Sequence, residues 1–160
     1  MEELLTIRMT SEAHEQDIAD CMTVMTAAFP PEYGEAWSAS QLGSMMRLSG
    51  SSLALARIGE CPVGFGLMRN IAGEAELLLL AVHPDHRGRG HGTRLLDRCM
   101  SEAERGGARA MFLEVRSGNP AVRLYSRAGF LQYNVRRNYY LGKSGQRYDA
   151  LSFKIIMVHD

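Results

Sequence analysis

The alternation of apolar and polar positions predicts a chain that switches between strands and helices. Leu4–Met9 alternates as a short strand does, and Ser11 followed by an acidic turn predicts a helix that runs to about Ala28. Phe29-Pro-Pro ends that helix, and Ser38 offers a cap for a second one. The chain therefore opens with one strand and two consecutive helices.

Three apolar runs in the middle of the chain predict antiparallel strands. Leu53–Ile58 and Val63–Met68 flank the turn-forming sequence Gly59-Glu-Cys-Pro, an arrangement typical of a hairpin. Ile71-Ala-Gly-Glu then turns the chain into a third run, Glu76–Val82. These runs predict a three-stranded antiparallel unit.

A helix follows the glycine-rich turn after Val82. Gly106-Gly107 ends it, and the short apolar strand Ala110–Val115 comes next. A strand-helix-strand unit of this length requires a right-handed crossover and a parallel strand pair. The apolar residues that recur at helical spacing are Leu96, Cys99, Met100 and Ala103.

The last quarter of the chain predicts one more helix and two more strands. Asn119-Pro120 is typical of a helix start and Gly129 of its end, and Phe130–Arg136 and Tyr148–Val158 supply the strands. The sequence therefore predicts a single α/β (α+β) domain over residues 1–160. Its mixed, mostly antiparallel central sheet would have about six or seven strands, with helices on both faces.

Composition argues against several classes of function. The chain of 160 residues balances 18 Lys and Arg against 18 Asp and Glu, and this neutrality argues against electrostatically driven binding of nucleic acid or membrane. Cys21, Cys61 and Cys99 form no C-x-x-C pair, which supports neither a disulfide framework nor a zinc site. The acidic start lacks a secretory signal, and the longest aliphatic run, Leu77–Val82, is too short to cross a bilayer. We therefore expect a cytoplasmic protein.

The turn Arg87-Gly-Arg-Gly-His-Gly-Thr93 carries the strongest chemical signal. It follows an apolar strand and opens a helix, whose first amides have no intrahelical partner and whose dipole favours an anion. Glycines let a ligand approach the backbone closely, so the turn predicts a diphosphate site. Its R-x-x-G-x-G spacing is neither a Walker motif nor G-x-G-x-x-G. The alternative is a surface turn that only starts a helix.

This turn, placed between a strand and a helix, resembles the acyl-coenzyme-A signature of the GNAT family of N-acetyltransferases. The order of the predicted elements matches the GNAT fold along nearly the whole chain. Five collinear segments are similar to the RimI branch, the ribosomal-protein-alanine N-acetyltransferases. They are Ala28-Phe-Pro30, Glu76-Leu-Leu with Ala81-Val82, Leu113-Glu-Val-Arg116, Leu124-Tyr125 with Gly129-Phe130, and Arg136-Arg-Asn-Tyr-Tyr140.

The resemblance implies acetyl-CoA as co-substrate, with the Val82 amide as a donor to the thioester oxygen. Arg94 or Arg98 would reach other coenzyme phosphates. Asn119 matches the family's coenzyme-contacting asparagine when counted from the preceding strand, but Gly118 matches when counted back from the next helix. The implied coenzyme-binding residues are Leu80, Ala81, Val82, Arg87, Gly88, Arg89, Gly90, His91, Gly92, Thr93 and Asn119.

Acetyl transfer to an amine needs a base for the ammonium and a proton for the departing thiolate. Glu114, at the end of an apolar strand, suits the base, and Glu76 is the runner-up; the alternative for Glu114 is an ion pair with Arg116 or another arginine. Tyr125 suits the acid, because a phenol is protonated at neutral pH, or else it packs on its helix face.

Metal and covalent chemistry are not expected. The histidines at 83, 86 and 91 lack the spacing of a metal-ligand set. Cys99 lies on an apolar helix face and Cys61 in a turn, neither beside an evident base. Direct transfer in a ternary complex is therefore the expected route.

The leading hypothesis from the resemblance is an N-acetyltransferase that acts on the N-terminal α-amine of a ribosomal protein. Tyr139 and Tyr140, on a loop before the last strand, would border the peptide groove, with Glu76 also facing the substrate. One alternative is a GNAT enzyme for a small amine or a protein lysine. Another is a non-catalytic module that binds nucleic acid or senses acyl-CoA. The sequence does not indicate the oligomeric state.

Overall fold

One sheet of seven strands runs through the protein. The structure, a computed structural model, describes residues 4–157. The strands are β1 (Leu5–Thr10), β2 (Ser51–Ile58), β3 (Cys61–Ile71), β4 (Glu74–Val82), β5 (Ala110–Arg116), β6 (Leu131–Leu141) and β7 (Arg147–Ile156). Their order in the sheet is β1-β2-β3-β4-β5-β7-β6, and only β4 and β5 pair in parallel.

Helices cover both faces of this sheet. On β2, Leu53 and Leu55 belong to the apolar cluster under α1 and α2, whereas Ala54 and Ala56 belong to the cluster under α3 and α4. Among residues 4–157 no helix is long and apolar enough to cross a membrane. The predicted mixed α/β fold, with helices on both faces, is confirmed. The helices are α1 (Glu15–Ala28), α2 (Ala39–Met46), α3 (His91–Arg105) and α4 (Ala121–Arg127).

A β-bulge interrupts β4 in the middle of its leucine run. Leu67 and Met68 of β3 pair with Leu79 and Leu77, so Leu78 has no opposite residue. An extra residue shifts the alternation of side chains between the two faces. Leu77 accordingly packs in the cluster with α3, and Leu79 in the cluster with α1.

The same bulge separates β4 from β5. Their parallel ladder ends at Leu77 and Leu113, although β4 continues to Val82 and β5 continues to Arg116. Beyond Leu77 the two strands no longer pair, so the last residues of β4 and of β5 border a gap in the ladder. We call this feature the β4–β5 gap.

Two glycines in β3 bring α3 close to the sheet. A Cβ atom on Gly66 would lie 2.7 Å from Cys99 Sγ, and one on Gly64 would lie 2.7 Å from Leu95 Cδ1. Any side chain there would push the helix away. The absence of side chains therefore sets the N-terminus of α3 directly beside the end of β4.

Two local expectations were wrong. Helix α1 begins at Glu15 rather than just after Ser11, because Asp17 accepts a hydrogen bond from the His14 amide (3.0 Å) and completes the helix start.

Ser38 does cap α2, since its Oγ accepts from the Gln41 amide (3.1 Å). The acidic start and the expected strand end at Val158 lie outside residues 4–157.

The second correction concerns Tyr139 and Tyr140, which lie in β6 and not on a loop. Residues 137–139 oppose the single residue Asp149, so the strand continues past a large bulge. Asn138 adopts the left-handed conformation (φ 55°) there, and its amide donates to Asp149 Oδ1 (2.9 Å). The left-handed conformation is tolerated by asparagine more readily than by most residues.

A buried carboxylate joins α1 to the first two strands. Asp17 is only 4% exposed, and its Oδ1 lies 2.5 Å from Arg8 Nη2 on β1 and 3.5 Å from Arg57 Nη2 on β2. Burial acts to raise the pKa of Asp17. The His14 amide and the two guanidinium groups outweigh it, so the pKa lies below its usual value.

We predict that Asp17→Asn lowers the free energy of unfolding by about 1–3 kcal/mol at pH 7, because both arginines lose their shared partner. A lowered folded-state pKa stabilises the fold above the unfolded pKa near 4 and ceases to do so as the pH falls through the folded value. Urea unfolding between pH 7 and pH 3 should therefore show a smaller loss of stability in the variant than in the parent. Asp97→Asn, at an exposed position on α3, is the control. Parallel pH profiles for Asp17→Asn and the parent would contradict this role.

Candidate functional site

The glycine-rich turn leaves a row of backbone amides without intrahelical partners. Gly88 and Gly90 both have positive φ (77° and 81°), and α3 begins at His91. The first helical bond runs from the Arg94 amide to the Gly90 carbonyl (3.1 Å), so the amides of residues 91–93 precede it. A Cβ atom on Gly88 or Gly90 would meet no atom within 4 Å, which shows that the turn is open to a ligand. This arrangement fits a diphosphate.

The end of β4 presents backbone groups to the β4–β5 gap. The His83 amide donates to the Val63 carbonyl of β3 (2.8 Å), so strand alternation directs the amides of Leu80 and Val82 towards the gap. The amide of Ala81 faces β3 instead, where this residue is the partner of Phe65. Two of the three expected strand positions therefore face the place where a thioester arm would lie.

The arginine that opens the motif has a structural role in this structure. Arg87 Nε donates to the Val82 carbonyl (3.2 Å), and Arg87 Nη2 donates to the Ala28 carbonyl (3.4 Å). The side chain thus ties the turn to the end of β4 and to the end of α1. Arg98 is likewise engaged, since its Nη1 donates to the Ile7 carbonyl (3.3 Å).

His91 is buried at the first position of α3, with 8% of its surface exposed. Neither ring nitrogen has a hydrogen-bond partner among residues 4–157. Burial lowers the pKa of His91, and His86, Arg89 and Arg94 lower it further. In the same described part of the chain, no three His, Cys, Asp or Glu side chains are grouped as a metal site.

Glu114 forms an ion pair, and its partner is Arg136 of β6. Glu114 Oε1 lies 2.6 Å from Arg136 Nε, and the carboxylate side chain is 20% exposed. Its second oxygen, Oε2, is buried and has no hydrogen-bond partner within residues 4–157. Arg116, which the sequence suggested as the ion-pair partner of Glu114, pairs with Glu35 instead. The ion-pair alternative is thus present with a different arginine, and the role as base stays a prediction.

Tyr125 of α4 is buried against the core. Its ring packs edge-on to Phe130, with ring centroids 5.9 Å apart. Burial raises the pKa of Tyr125, and Cys99, Tyr140 and Glu35 raise it further. The packing alternative and the acid role are therefore compatible, because the ring is held by the core while the phenol lies within electrostatic range of Tyr140 and Glu35.

Glu35 is a site residue that the sequence did not reveal. It lies between α1 and α2, and its side chain is 9% exposed. Glu35 Oε1 accepts from Arg116 Nε (3.0 Å) and Oε2 accepts from Asn119 Nδ2 (2.8 Å). Arg116 in turn lies over the Tyr33 ring, with 3.6 Å from Cζ to the centroid. A glutamate in a proline- and glycine-containing segment gives no signal of a contact 81 positions away.

Asn119 uses both ends of its amide in these contacts. Its Oδ1 accepts from the amide of Ala121 (2.8 Å), the first residue of α4, although Pro120 occupies the N-cap position. Its Nδ2 donates to Glu35. Contact between this side chain and the coenzyme stays a prediction, and it would require a further partner for an amide that already has two.

The two tyrosines of β6 face different surroundings. Tyr139 is 52% exposed, whereas Tyr140 is partly buried, and their rings pack edge-on with centroids 5.0 Å apart. Burial raises the pKa of Tyr140, and the negative charges of Glu35 and Glu114 raise it further, while Arg116 opposes them. Tyr140 therefore belongs to the cluster that holds both glutamates.

Glu76 lies outside this cluster. It is exposed on β4, in the paired segment before the bulge, opposite Phe112 of β5. Alternation places it on the same face of the sheet as Glu114, two positions short of it along the strand direction. Its role as substrate contact or base stays a prediction.

We predict that Gly90→Val weakens acetyl-CoA binding about tenfold or more, measured by calorimetry, because a β-branched residue disfavours the left-handed conformation that presents the amides. Gly107→Val is the matched control. Gly107 has the same positive φ (87°) and equally open surroundings, at the opposite end of α3. Equal affinity in a folded Gly90→Val variant would show that this turn does not bind the coenzyme.

We also predict that Glu35→Gln lowers the free energy of unfolding by about 1–3 kcal/mol, because the buried guanidinium of Arg116 loses its counter-charge. Glu32→Gln, at an exposed position of the same segment, should leave stability within about 0.5 kcal/mol. Chemical unfolding of both variants tests this, and equal stabilities would show that the buried ion pair contributes nothing net.

Comparison with known proteins gives relatives that are named as acetyltransferases. An aligned stretch of 89 residues is 35% identical to the [ribosomal protein bS18]-alanine N-acetyltransferase of Haemophilus influenzae, covering 56% of this chain and 61% of that protein. The crystal structure of the Escherichia coli ribosomal-protein-S18-alanine N-acetyltransferase superposes with a TM-score of 0.84 at 26% identity, covering 98% of this chain and 96% of that one.

A second structure, yncA from Salmonella typhimurium with acetyl-CoA, has a TM-score of 0.73 at 23% identity and covers 98% of this chain and 96% of its own. It shows the same fold. The family model that describes the GNAT acetyltransferases matches residues 18–130, which contain the glycine-rich turn, the β4–β5 gap and Tyr125. The chain belongs to the GNAT acetyltransferase family.

Proposed function

We propose that this protein is an acetyl-CoA-dependent N-acetyltransferase that acts on the N-terminal α-amine of a protein, in particular a ribosomal protein in the cytoplasm. The observation that carries the proposal is the β4–β5 gap, since Tyr125 belongs to the apolar cluster on the α3 and α4 side of the sheet and Glu114 lies on the other face. The chain spans about three fifths of the curated relative's length in the aligned stretch, and that relative is named as a [ribosomal protein bS18]-alanine N-acetyltransferase.

On the donor side, the chain supplies amides rather than cations. The amides of residues 91–93, with the open glycines before them, would hold the diphosphate of the coenzyme at the positive end of α3. The Leu80 and Val82 amides would pair with the arm that carries the thioester. The Val82 amide would then stabilise negative charge on the thioester oxygen, a contribution on the order of 3 kcal/mol.

On the acceptor side, an α-amine has a reference pKa near 8 and is mostly ammonium at neutral pH. Glu114 takes one proton, and the free amine attacks the thioester carbon as the C–N bond forms and the C–S bond breaks. Tyr125 donates its proton to the departing sulfur. The second proton released by the nitrogen, as the amide forms, restores the phenol. Two residues thus manage the protons from opposite sides of one gap.

The acceptor's shape is constrained by the surroundings of Glu114. Tyr139 and Tyr140 follow Arg136, the partner of Glu114, on β6, and Glu35 pairs with Arg116, which lies two positions after Glu114 on β5. A free N-terminus has a narrow backbone and carries its ammonium at the very end of the chain, which suits a carboxylate with bulky side chains nearby. The tyrosines would then contact the first residues of the peptide.

A peptide-array acetylation assay with free and blocked N-termini tests the proposal directly. Acetylation of peptides with a free N-terminus, and its loss on blocking, is the expected result. Acetylation of lysine side chains in blocked peptides, or of small amines alone, would assign one of the other GNAT activities. Salt-dependent binding of DNA with no turnover of acetyl-CoA would point to a binding module.

We predict that Glu114→Gln lowers peptide turnover about 100-fold at pH 7, with partial recovery near pH 9, where the amine needs no base. Tyr125→Phe should lower turnover across this whole pH range, because the phenol is protonated throughout. Glu76→Gln is the control and should retain turnover. Loss of turnover in Glu76→Gln, with an unchanged pH–rate profile in Glu114→Gln, would exchange the roles of the two glutamates.

A further inference from the structure

The ion pair of Glu114 spans a neighbouring strand. Glu114 belongs to β5 and Arg136 to β6, and β7 lies between them in the sheet. Adjacent strands are about 4.8 Å apart, so the two backbones are roughly 10 Å apart. The long side chain of Arg136 must therefore reach across the face of β7 to bring its Nε within 2.6 Å of Glu114 Oε1.

The residues of β7 under this ion pair are small. Ser152 is the cross-strand partner of Glu114, and Ala150 is the partner of Arg136. Ala150 is fully buried and Ser152 is 1% exposed, and within residues 4–157 neither belongs to the apolar cluster under α1 and α2. The side chain of Arg136 therefore passes over two small residues to reach Glu114.

The carboxylate is only half satisfied by this arrangement. Oε1 is occupied by Arg136, while Oε2 is buried without a hydrogen-bond partner in the described part of the chain, as is Ser152 Oγ on β7. Native proteins rarely leave buried polar atoms unpaired away from functional sites. An ammonium has three donors, so an acceptor that enters beside Glu114 would engage both oxygens, the free Oε2 and the Oε1 that Arg136 now occupies.

The side chain of Arg136 also lies near a second group that can hold its charge, the ring of Tyr139. The arginine side chain is 55% exposed, it lies where the β6–β7 ladder breaks, and its Cζ is 5.7 Å from the centre of the Tyr139 ring. A guanidinium over a tyrosine face is stabilised by a cation–π interaction. A small rotation of the side chain would move the charge from Glu114 towards Tyr139 without exposing a buried cation.

We propose that Arg136 occupies the position of the acceptor ammonium and competes with every acceptor for Glu114. This inference rests on the proposed function. Both groups are cations that donate to the same carboxylate, so an acceptor must displace Arg136 before it binds there. The free energy of this displacement is the same for a small amine and for a protein N-terminus, so it weakens the binding of both by the same factor.

The test compares Arg136→Gln with Arg137→Gln, a matched control because Arg137 is the adjacent exposed arginine of the same strand. Values of KM and kcat are measured for a peptide with a free N-terminus and for a small primary amine. In Arg136→Gln we expect the KM of the small amine and the KM of the peptide to fall by the same factor, about fivefold. Arg136→Lys should restore the KM values of the parent, and Arg137→Gln should match the parent.

Calorimetry supplies a readout that does not depend on turnover. With coenzyme A present, Arg136→Gln should bind the small amine more tightly than the parent protein does. The two proteins should bind the N-acetylated form of that amine with the same affinity. Unchanged KM values for both acceptors, or weaker binding of both acceptors in Arg136→Gln, would overturn the proposal and leave Arg136 as a group that only orients Glu114. A parent protein that acetylates no amine would instead refute the proposed function, and the binding measurement would still decide the role of Arg136.

Discussion

The bulge at Leu78 is the feature on which the site depends. Without the extra residue, β4 would continue to pair with β5, and the amides of Leu80 and Val82 would be used in that ladder. With it, the strands part, and unpaired backbone donors face a gap in the ladder. The same residue shifts the alternation, so that leucines on either side of the bulge still fill both apolar clusters. One inserted residue thus creates the site, and the apolar clusters on both faces of the sheet stay filled.

The two faces of the gap are prepared by different physical means. On one, α3 packs on bare glycines and brings the positive end of its dipole beside the end of β4. On the other, four charged side chains form two ion pairs, Glu35 with Arg116 and Glu114 with Arg136. Their charges cancel, which lets them lie together in a partly desolvated place. The donor side is therefore built from backbone and the acceptor side from paired side chains.

Local features of this fold were predictable from the sequence because they are encoded locally. Periodicity and turn residues located α1 to α4 and β1 to β7, although the start of α1 and the end of β6 were wrong, and the glycine-rich turn located the N-terminus of α3. The bulge was not predictable, since it falls among four leucines, where alternation gives no sign of a shift. The contact of Glu35 with Arg116 joins distant parts of the chain. The sequence predicts a strand that ends at Arg136, whereas the left-handed conformation of Asn138 lets β6 continue to Leu141.

The buried phenol shows how position can matter more than intrinsic acidity. Burial and the nearby charge of Glu35 raise the pKa of Tyr125, which makes it a weaker acid than a tyrosine in water. A thiol has a reference pKa near 8.5, so complete proton transfer to a well-solvated thiolate would be uphill. A thiolate that forms in the same gap is desolvated as well, and its pKa rises for the same reason. The shared environment therefore brings the two groups closer in proton affinity, and it keeps Tyr125 protonated as a donor across the physiological pH range.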